Sequence, residues 1–130
     1  MARKKILLEY VLNAKSKDLV WDAISTPSGL EGWFADRVES DDKLVTFYWG
    51  DNEEESRQAE IIAFRFLSYI RFRWIDSIYK REYFEIRMIQ NELTNDFILE
   101  VKDFGREEEL EDLEELWNSE METLRRIKGF

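Results

Sequence analysis

Side chains that commonly carry out catalysis or bind metals are scarce in this sequence. The 130 residues include no histidine and no cysteine, which excludes Ser-His and Cys-His nucleophilic systems and the usual zinc ligand sets. The five glycines form neither a phosphate-binding loop nor a dinucleotide-binding motif. Carboxylates, lysines and tyrosines remain for acid–base chemistry, and no pairing among them stands out. We therefore expect no catalytic residues, no metal site and no cofactor.

Two acidic runs could offer oxygen ligands to a cation. Residues 51–55 read Asp-Asn-Glu-Glu-Glu, and residues 41–42 read Asp-Asp. Neither run has the glycine and the ligand spacing of a calcium-binding loop. Both are typical of solvated turns.

The informative set of residues is aromatic and sulfur-containing. Eleven residues could face one interior: Trp33, Phe34, Phe47, Trp49, Phe72, Trp74, Phe84, Met88, Leu99, Trp117 and Met121. Read functionally, they line an apolar pocket of roughly 300–1,000 Å³, to which Trp and Met give shape and adaptability. Read structurally, they are the packed core between a sheet and a helix. The sequence leaves both interpretations open.

Polar side chains could orient a ligand at such a pocket. Four tyrosines could bring a hydroxyl to an apolar wall, although surface placement is more common: Tyr10, Tyr48, Tyr69 and Tyr83. An inward-pointing Arg65 or Arg87 would need a carboxylate or an anionic headgroup, because an unpaired buried charge is costly. Alternation places Arg87 on the outer face and leaves Arg65 undecided.

The amino-terminal third predicts one strand and two short helices. Residues 4–13 read as a strand with Ile6, Leu8, Tyr10 and Leu12 on one face. Ser16 is an N-cap candidate for a helix that stops near Ser25, because Pro27 disfavours helical geometry in the residue before it. Residues 28–31 have the spacing of a capping box for a second helix, whose buried side would include Trp33 and Phe34.

The middle of the chain reads as strands and the end as one long helix. The strand candidates are 36–40, 43–50, 57–66, 69–76, 81–90 and 96–104, and their short connections favour antiparallel pairing. The strand around residues 60–64 is apolar on both faces, so its inner face is unassigned. An apolar stripe from residue 107 to residue 128 predicts a helix on the order of 30 Å long, with Gly129 and Phe130 suited to a left-handed C-cap.

Charge and composition restrict the partners. Nineteen basic and twenty-nine acidic residues give a net charge of −10, which disfavours nucleic acid and anionic membrane surfaces. No apolar stretch reaches the roughly 18 residues of a membrane span, and Glu9 and Asn13 interrupt the apolar run of a signal peptide. We expect a cytoplasmic protein with a single domain over residues 1–130.

The predicted order of elements, together with residues 20–34, resembles a known family. The order matches the helix-grip fold, and the chain resembles the START-like, or SRPBCC, superfamily that includes the birch-pollen-allergen-like proteins. The helix, proline turn and Trp33-Phe34 pair look like the branch related to the activator of heat-shock protein 90 ATPase. The resemblance implies an α+β fold of order β-α-α-β6-α, with a curved antiparallel sheet wrapped around a long C-terminal helix and a cavity between them.

Several functions are consistent with this resemblance. The first is a non-enzymatic binding domain that holds a small hydrophobic or amphipathic, lipid-like ligand in the cavity. The alternative is a protein-interaction domain of the chaperone-activator kind with a filled core. An enzyme is the third, and it requires a polar cluster inside the cavity. Monomer and homodimer are both open, the latter through a sheet edge or through Ile62 and Phe64.

Overall fold

Seven strands form one curved antiparallel sheet in the computed structural model, which describes residues 2–130. The strands are β1 (Arg3–Leu12), β2 (Arg37–Asp41), β3 (Leu44–Trp49), β4 (Glu55–Arg65), β5 (Tyr69–Trp74), β6 (Phe84–Gln90) and β7 (Phe97–Arg106). Each of β2 to β7 pairs with its neighbour in sequence, and β1 pairs with β7 at the edge of the sheet. The predicted α+β, helix-grip architecture is confirmed.

Three helices complete the element order. Between β1 and β2 lie α1 (Lys17–Ser25) and α2 (Pro27–Leu30), and α3 (Leu110–Lys128) follows β7 after a 3₁₀ turn at Glu107–Glu109. Both α1 and α3 agree with the predicted segments. The α2 helix is shorter than predicted, because the chain turns after Leu30 and leads through Glu31–Ala35 into β2.

The predicted capping box at residues 28–31 is wrong. Thr26 is the N-cap of α2, and its hydroxyl accepts from the Gly29 N–H at 2.9 Å. Pro27 occupies the first helical position, where its fixed φ and missing N–H cost nothing, so the cap falls on the residue before it. The Glu31 carboxylate instead accepts from the Val38 N–H at 3.0 Å.

The connection between β5 and β6 is longer than predicted. Strand β5 ends at Trp74 and β6 begins at Phe84, so residues 75–83 form a loop, called here the β5–β6 loop. Side-chain contacts hold this loop in place of strand pairing. Arg3 of β1 stacks on the Tyr79 ring at 4.0 Å and pairs with Glu82, and the Tyr83 ring packs edge-on against Phe104.

A bulge in β4 explains why its inner face could not be assigned. The register with β5 shifts between Ile61 and Ala63, which leaves Ile62 as the extra residue. Before the bulge Ile61 lies opposite the buried Phe72, and after it Arg65 lies opposite Tyr69 on the outer face. A single alternation rule therefore fails across this strand.

The outer face of the sheet contains one buried carboxylate. Glu85 of β6 has no exposed side-chain surface and pairs with Arg71 at 2.7 Å, Arg87 at 3.3 Å and Lys102 at 3.6 Å. Burial alone would raise its pKa, but the hydrogen bonds from Arg71 and Arg87 outweigh it and lower the pKa of Glu85. Arg87 lies on the outer face, as its alternation predicts.

Helix α3 crosses the concave face of the sheet. Trp117, Met121 and Leu124 are buried against it, and the Tyr10 hydroxyl of β1 donates to Asn118 Oδ1 at 2.6 Å. The predicted C-cap is present. Gly129 has a φ of 74°, its N–H bonds to the Arg125 carbonyl, and the Phe130 carbonyl accepts from the Asn13 N–H at 2.7 Å.

Gly29 lets α1 and α2 approach closely. A Cβ atom at Gly29 would lie 1.8 Å from the Asp22 carbonyl oxygen, which belongs to the backbone of α1. The Trp33 indole N–H uses the same junction, donating to the carbonyls of Ala23 at 2.9 Å and Gly29 at 3.0 Å. The proline turn and the tryptophan that follows it therefore form one packed corner.

We expect Gly29→Ala to lower the free energy of unfolding by at least about 3 kcal/mol, because one helix must move away from the other. The matched control is Gly129→Ala, where an added Cβ meets nothing within 4 Å. Only the left-handed backbone is strained there, at a cost of about 1 kcal/mol. Urea denaturation of both variants measures the difference, and equal losses would contradict this account of the corner.

Candidate functional site

An open cavity of about 1050 Å³ lies between the concave face of the sheet and the first half of α3. The ends of β3 and β5, the start of β4 and the β5–β6 loop form one side of it. The carboxyl end of β7 and helix α3 form the other side. The cavity exceeds the space of a few water molecules and is of the size that encloses a small organic ligand.

Eight aromatic residues border this cavity. Three of them are Tyr79, Tyr83 and Phe104, and the other five are predicted site residues: Phe34, Trp49, Trp74, Phe84 and Trp117. Phe84 lies at their centre. Its ring stacks on Phe34 with centroids 5.5 Å apart, and it lies 5.1 Å from Trp74 and 6.1 Å from Trp117. The Trp49 indole N–H donates to the Phe34 carbonyl at 3.0 Å. These rings present an apolar surface to the cavity, and a hydrogen bond to the backbone fixes the position of the Trp49 indole.

The other six predicted site residues lie in the core outside this cavity: Trp33, Phe47, Phe72, Met88, Leu99 and Met121. Phe47 packs behind the wall, with its ring 4.9 Å from Phe34 and 5.7 Å from Trp74. Phe72 stacks on Phe84 at 4.8 Å. The eleven residues therefore form one interior, of which five members border open space.

Exposed apolar side chains stand at the mouth of the cavity. Ile78 of the β5–β6 loop is 79% exposed and Leu116 of α3 is 54% exposed, and both border the cavity. Large apolar groups left in water beside an aromatic-walled cavity indicate a surface that a ligand would cover. The loop that carries Ile78 is fixed to β1 through Arg3.

Two carboxyl groups, called here the acid pair, lie inside the cavity. Asp103 of β7 accepts the Trp117 indole N–H at 2.9 Å and the Phe104 N–H at 2.8 Å. Glu120 of α3 also borders the cavity. Within residues 2–130, no donor bonds to Glu120 and no cation pairs with it.

Burial changes the proton affinity of both members of the acid pair. Burial raises the pKa of Asp103 to about 6, against the lowering effect of the Trp117 hydrogen bond. Burial and then the charge of Asp103 raise the pKa of Glu120 to about 8. Near neutral pH the acid pair therefore carries about one negative charge and one proton.

The positions of both members of the acid pair follow from the periodicity of their elements, although the sequence analysis did not name them. Asp103 continues the inward alternation of Phe97, Leu99 and Val101. Glu120 follows Trp117 by three positions and so falls on the inner stripe of α3. An acidic residue on an otherwise apolar face is visible in the sequence. That the charges of Asp103 and Glu120 interact depends on the packing of α3 against β7, which the sequence does not give.

Charged residues at the rim are mostly acidic. Seven acidic and two basic residues border the cavity. Arg57 pairs with Asp76 at 2.7 Å and stacks on Trp74 at 4.0 Å, and Arg3 pairs with Glu82. The remaining acidic groups, including the acid pair, give the cavity a negative potential.

Of the four tyrosines considered as orienting groups, only Tyr83 borders the cavity. Tyr10 bonds to Asn118, and Tyr48 and Tyr69 have arginine guanidinium groups over their rings. Tyr79, which was not considered, also borders the cavity. The sequence places Tyr79 in the connection between two predicted strands, and only the fold brings that connection to the cavity.

Comparison with known proteins identifies relatives of this chain. A model of the START-like superfamily domain matches residues 1–130. The solution structure of BfR322 from Bacteroides fragilis is 57% identical, with a TM-score of 0.69, and the match covers 100% of this chain and 94% of that one. No curated protein matches the sequence.

Two more distant structures share the fold. The solution structure of the Aha1 dimer from Colwellia psychrerythraea is 10% identical with a TM-score of 0.63, covering 77% of this chain and 75% of that one. DynU16, a protein of the dynemicin biosynthetic locus, is 15% identical with a TM-score of 0.73, covering 94% of this chain and 46% of that one. These similarities concern the fold alone.

No helix within residues 2–130 has the length and apolar character needed to cross a membrane.

Glu120→Gln should stabilise the protein above neutral pH. The folded-state pKa of Glu120, about 8, lies above the ordinary value of 4.5, so the folded chain holds an extra proton between these pH values. Stability therefore falls as pH rises through this window. Glutamine removes that loss, and we expect its advantage to grow by up to about 3–4 kcal/mol between pH 5 and pH 8.5.

Urea denaturation at pH 5, 7 and 8.5 measures this effect. Glu122→Gln, an exposed position on the same helix, is the matched control and should follow the unmodified protein at every pH. Parallel pH profiles for the Glu120 variant and the unmodified protein would contradict the burial of that carboxyl.

Proposed function

The chain belongs to the START-like superfamily, and from this premise we propose that it binds a small hydrophobic or amphipathic molecule in the cavity between the sheet and α3. The observation that carries the proposal is the open volume of about 1050 Å³ bordered by eight aromatic residues, five of them predicted site residues. A ligand there would cover the half-buried indoles of Trp49 and Trp74, and removing such apolar surface from water is a main source of affinity.

The exposed side chains at the mouth support the same proposal. Ile78 and Leu116 stand on opposite sides of the opening, one on the β5–β6 loop and one on α3. A bound apolar group would bury both. The open volume also argues against the alternative of a protein-interaction domain whose core is filled.

The eleven predicted site residues enter this proposal in two roles. Phe34, Trp49, Trp74, Phe84 and Trp117 would contact the ligand directly, because they border the cavity. Trp33, Phe47, Phe72, Met88, Leu99 and Met121 would support them from the core. Phe47 illustrates the second role, since it packs against three rings of the wall.

An acid–base enzyme is the second candidate, and the acid pair is the observation that favours it. Two carboxyls whose pKa values differ can hold a proton on one and accept a proton on the other. DynU16, which shares the fold, comes from a biosynthetic locus. Mass spectrometry of a bound ligand before and after incubation separates the two functions: an unchanged ligand supports binding, and a changed one supports catalysis.

Ligand binding should shift a defined subset of tryptophan signals. We expect titration with octan-1-ol, octylamine or octanoate to move the indole N–H resonances of Trp49, Trp74 and Trp117 in ¹H–¹⁵N spectra. Those of Trp21 and Trp33 should stay in place, because neither residue borders the cavity. The absence of a saturable shift with every probe would contradict the proposal.

Variants at the mouth test the location of the site. Ile78→Ser combined with Leu116→Ser should weaken binding of octan-1-ol by about tenfold, because each substitution removes apolar contact with the ligand. Leu93→Ser is the matched control, since Leu93 is 94% exposed and lies outside the cavity lining. Equal affinities for the double variant and the control would place binding elsewhere.

A further inference from the structure

We infer that the molecule held in this cavity carries a positively charged, organic group, such as an amine, which the acid pair receives beside Trp117. This inference rests on the proposed ligand-binding function and adds the chemical class of the ligand. It depends on three features of the cavity, namely its surplus of acidic groups, its aromatic faces and the absence of an internal cation at the acid pair.

The wall of the cavity already holds two cations in this manner. The Arg57 guanidinium lies 4.0 Å from the Trp74 ring centroid and pairs with Asp76 at 2.7 Å. Arg3 lies 4.0 Å from the Tyr79 ring centroid and pairs with Glu82. In both places an aromatic face and a carboxylate bind one guanidinium from two sides, which is a favourable setting for an organic cation.

The acid pair offers the same chemistry without an internal cation. Asp103 is joined to the Trp117 indole at 2.9 Å, and Glu120 also borders the cavity. No lysine or arginine within residues 2–130 forms a salt bridge with either carboxyl. Both carboxyls are half-buried. Negative charge in such a setting without a cationic partner is disfavoured, and a ligand cation would relieve that cost.

The surroundings favour an organic cation over a metal ion. No group of three or more acidic side chains in the described part of the chain could hold a metal ion. The rings of Phe34, Phe84 and Trp117 form one part of the nearby wall, and they provide no oxygen ligands. An ammonium group attached to an apolar body matches both the acid pair and the rings.

The remaining charged groups that border the cavity with the acid pair lie on β1, β4, the β5–β6 loop and the start of α3. The basic groups are Arg3 of β1 and Arg57 of β4. The acidic groups are Glu55 of β4, Asp76 and Glu82 of the β5–β6 loop, and Glu109 and Asp112 at the start of α3. Glu109 pairs with Arg106. The balance of these groups is negative, so the rim attracts a cation toward the acid pair.

The test compares three probes with the same eight-carbon chain at pH 6 and pH 8.5, using the indole shifts of Trp117 to obtain affinities. Octylamine should bind about tenfold more tightly than octan-1-ol at pH 8.5, and octanoate more weakly than either. The preference for octylamine should decrease at pH 6, because the acid pair then carries more protons. Binding of octan-1-ol should change little with pH.

Asp103→Asn together with Glu120→Gln should reduce the preference for octylamine to within about twofold and leave octan-1-ol binding nearly unchanged. Glu120→Gln alone keeps the Asp103–Trp117 hydrogen bond and should remove part of the preference, so a misfolded double variant does not end the test. Glu122→Gln should behave like the unmodified protein. Any pH dependence that survives in the double variant belongs to the other charged groups.

The outcomes separate this inference from the proposed function. If octan-1-ol binds and octylamine binds no more tightly, the cavity is a ligand site and the inference of a cationic ligand is wrong. An unchanged preference for octylamine in the double variant would also overturn it. If none of the three probes binds, the proposed function and the inference both fail.

Discussion

The hydrogen bond from the Trp117 indole to Asp103 joins α3 to the sheet at the point where the interior changes from packed to open. Beyond Trp117, Met121 and Leu124 are fully buried against the concave face. Before it, Leu113 and Leu116 border the cavity. The close packing and most of the open volume therefore lie on opposite sides of this contact.

Much of the fold could be predicted from the sequence. The inward alternation of β1 from Ile6 to Leu12, the end of α1 before Pro27 and the cap at Gly129 all depend on local backbone geometry and side-chain period. These preferences act over a few residues, so a single sequence contains them. The bulge at Ile62 could not be located from the sequence. It shows there only as a strand whose apolar residues do not alternate.

The site was less accessible to sequence reasoning, for physical reasons. The eleven aromatic and apolar residues were recognised as one interior, but their division between cavity wall and core depends on the distance between α3 and the sheet. The acid pair joins residues from β7 and α3, and only packing makes their charges interact. The β5–β6 loop is held by Arg3, which lies more than seventy residues away in sequence.

The pairing of β1 with β7 has a consequence for how the protein acquires its shape. Arg3 lies opposite Arg106, so the first strand cannot find its partner until almost the whole chain is available. Such distant pairing carries a high entropy of loop closure and slows folding. During synthesis the strands that form the concave face would emerge before α3, leaving their aromatic rings uncovered. Rapid docking of the terminal helix, or temporary shelter by another molecule, would then protect the nascent chain from aggregation.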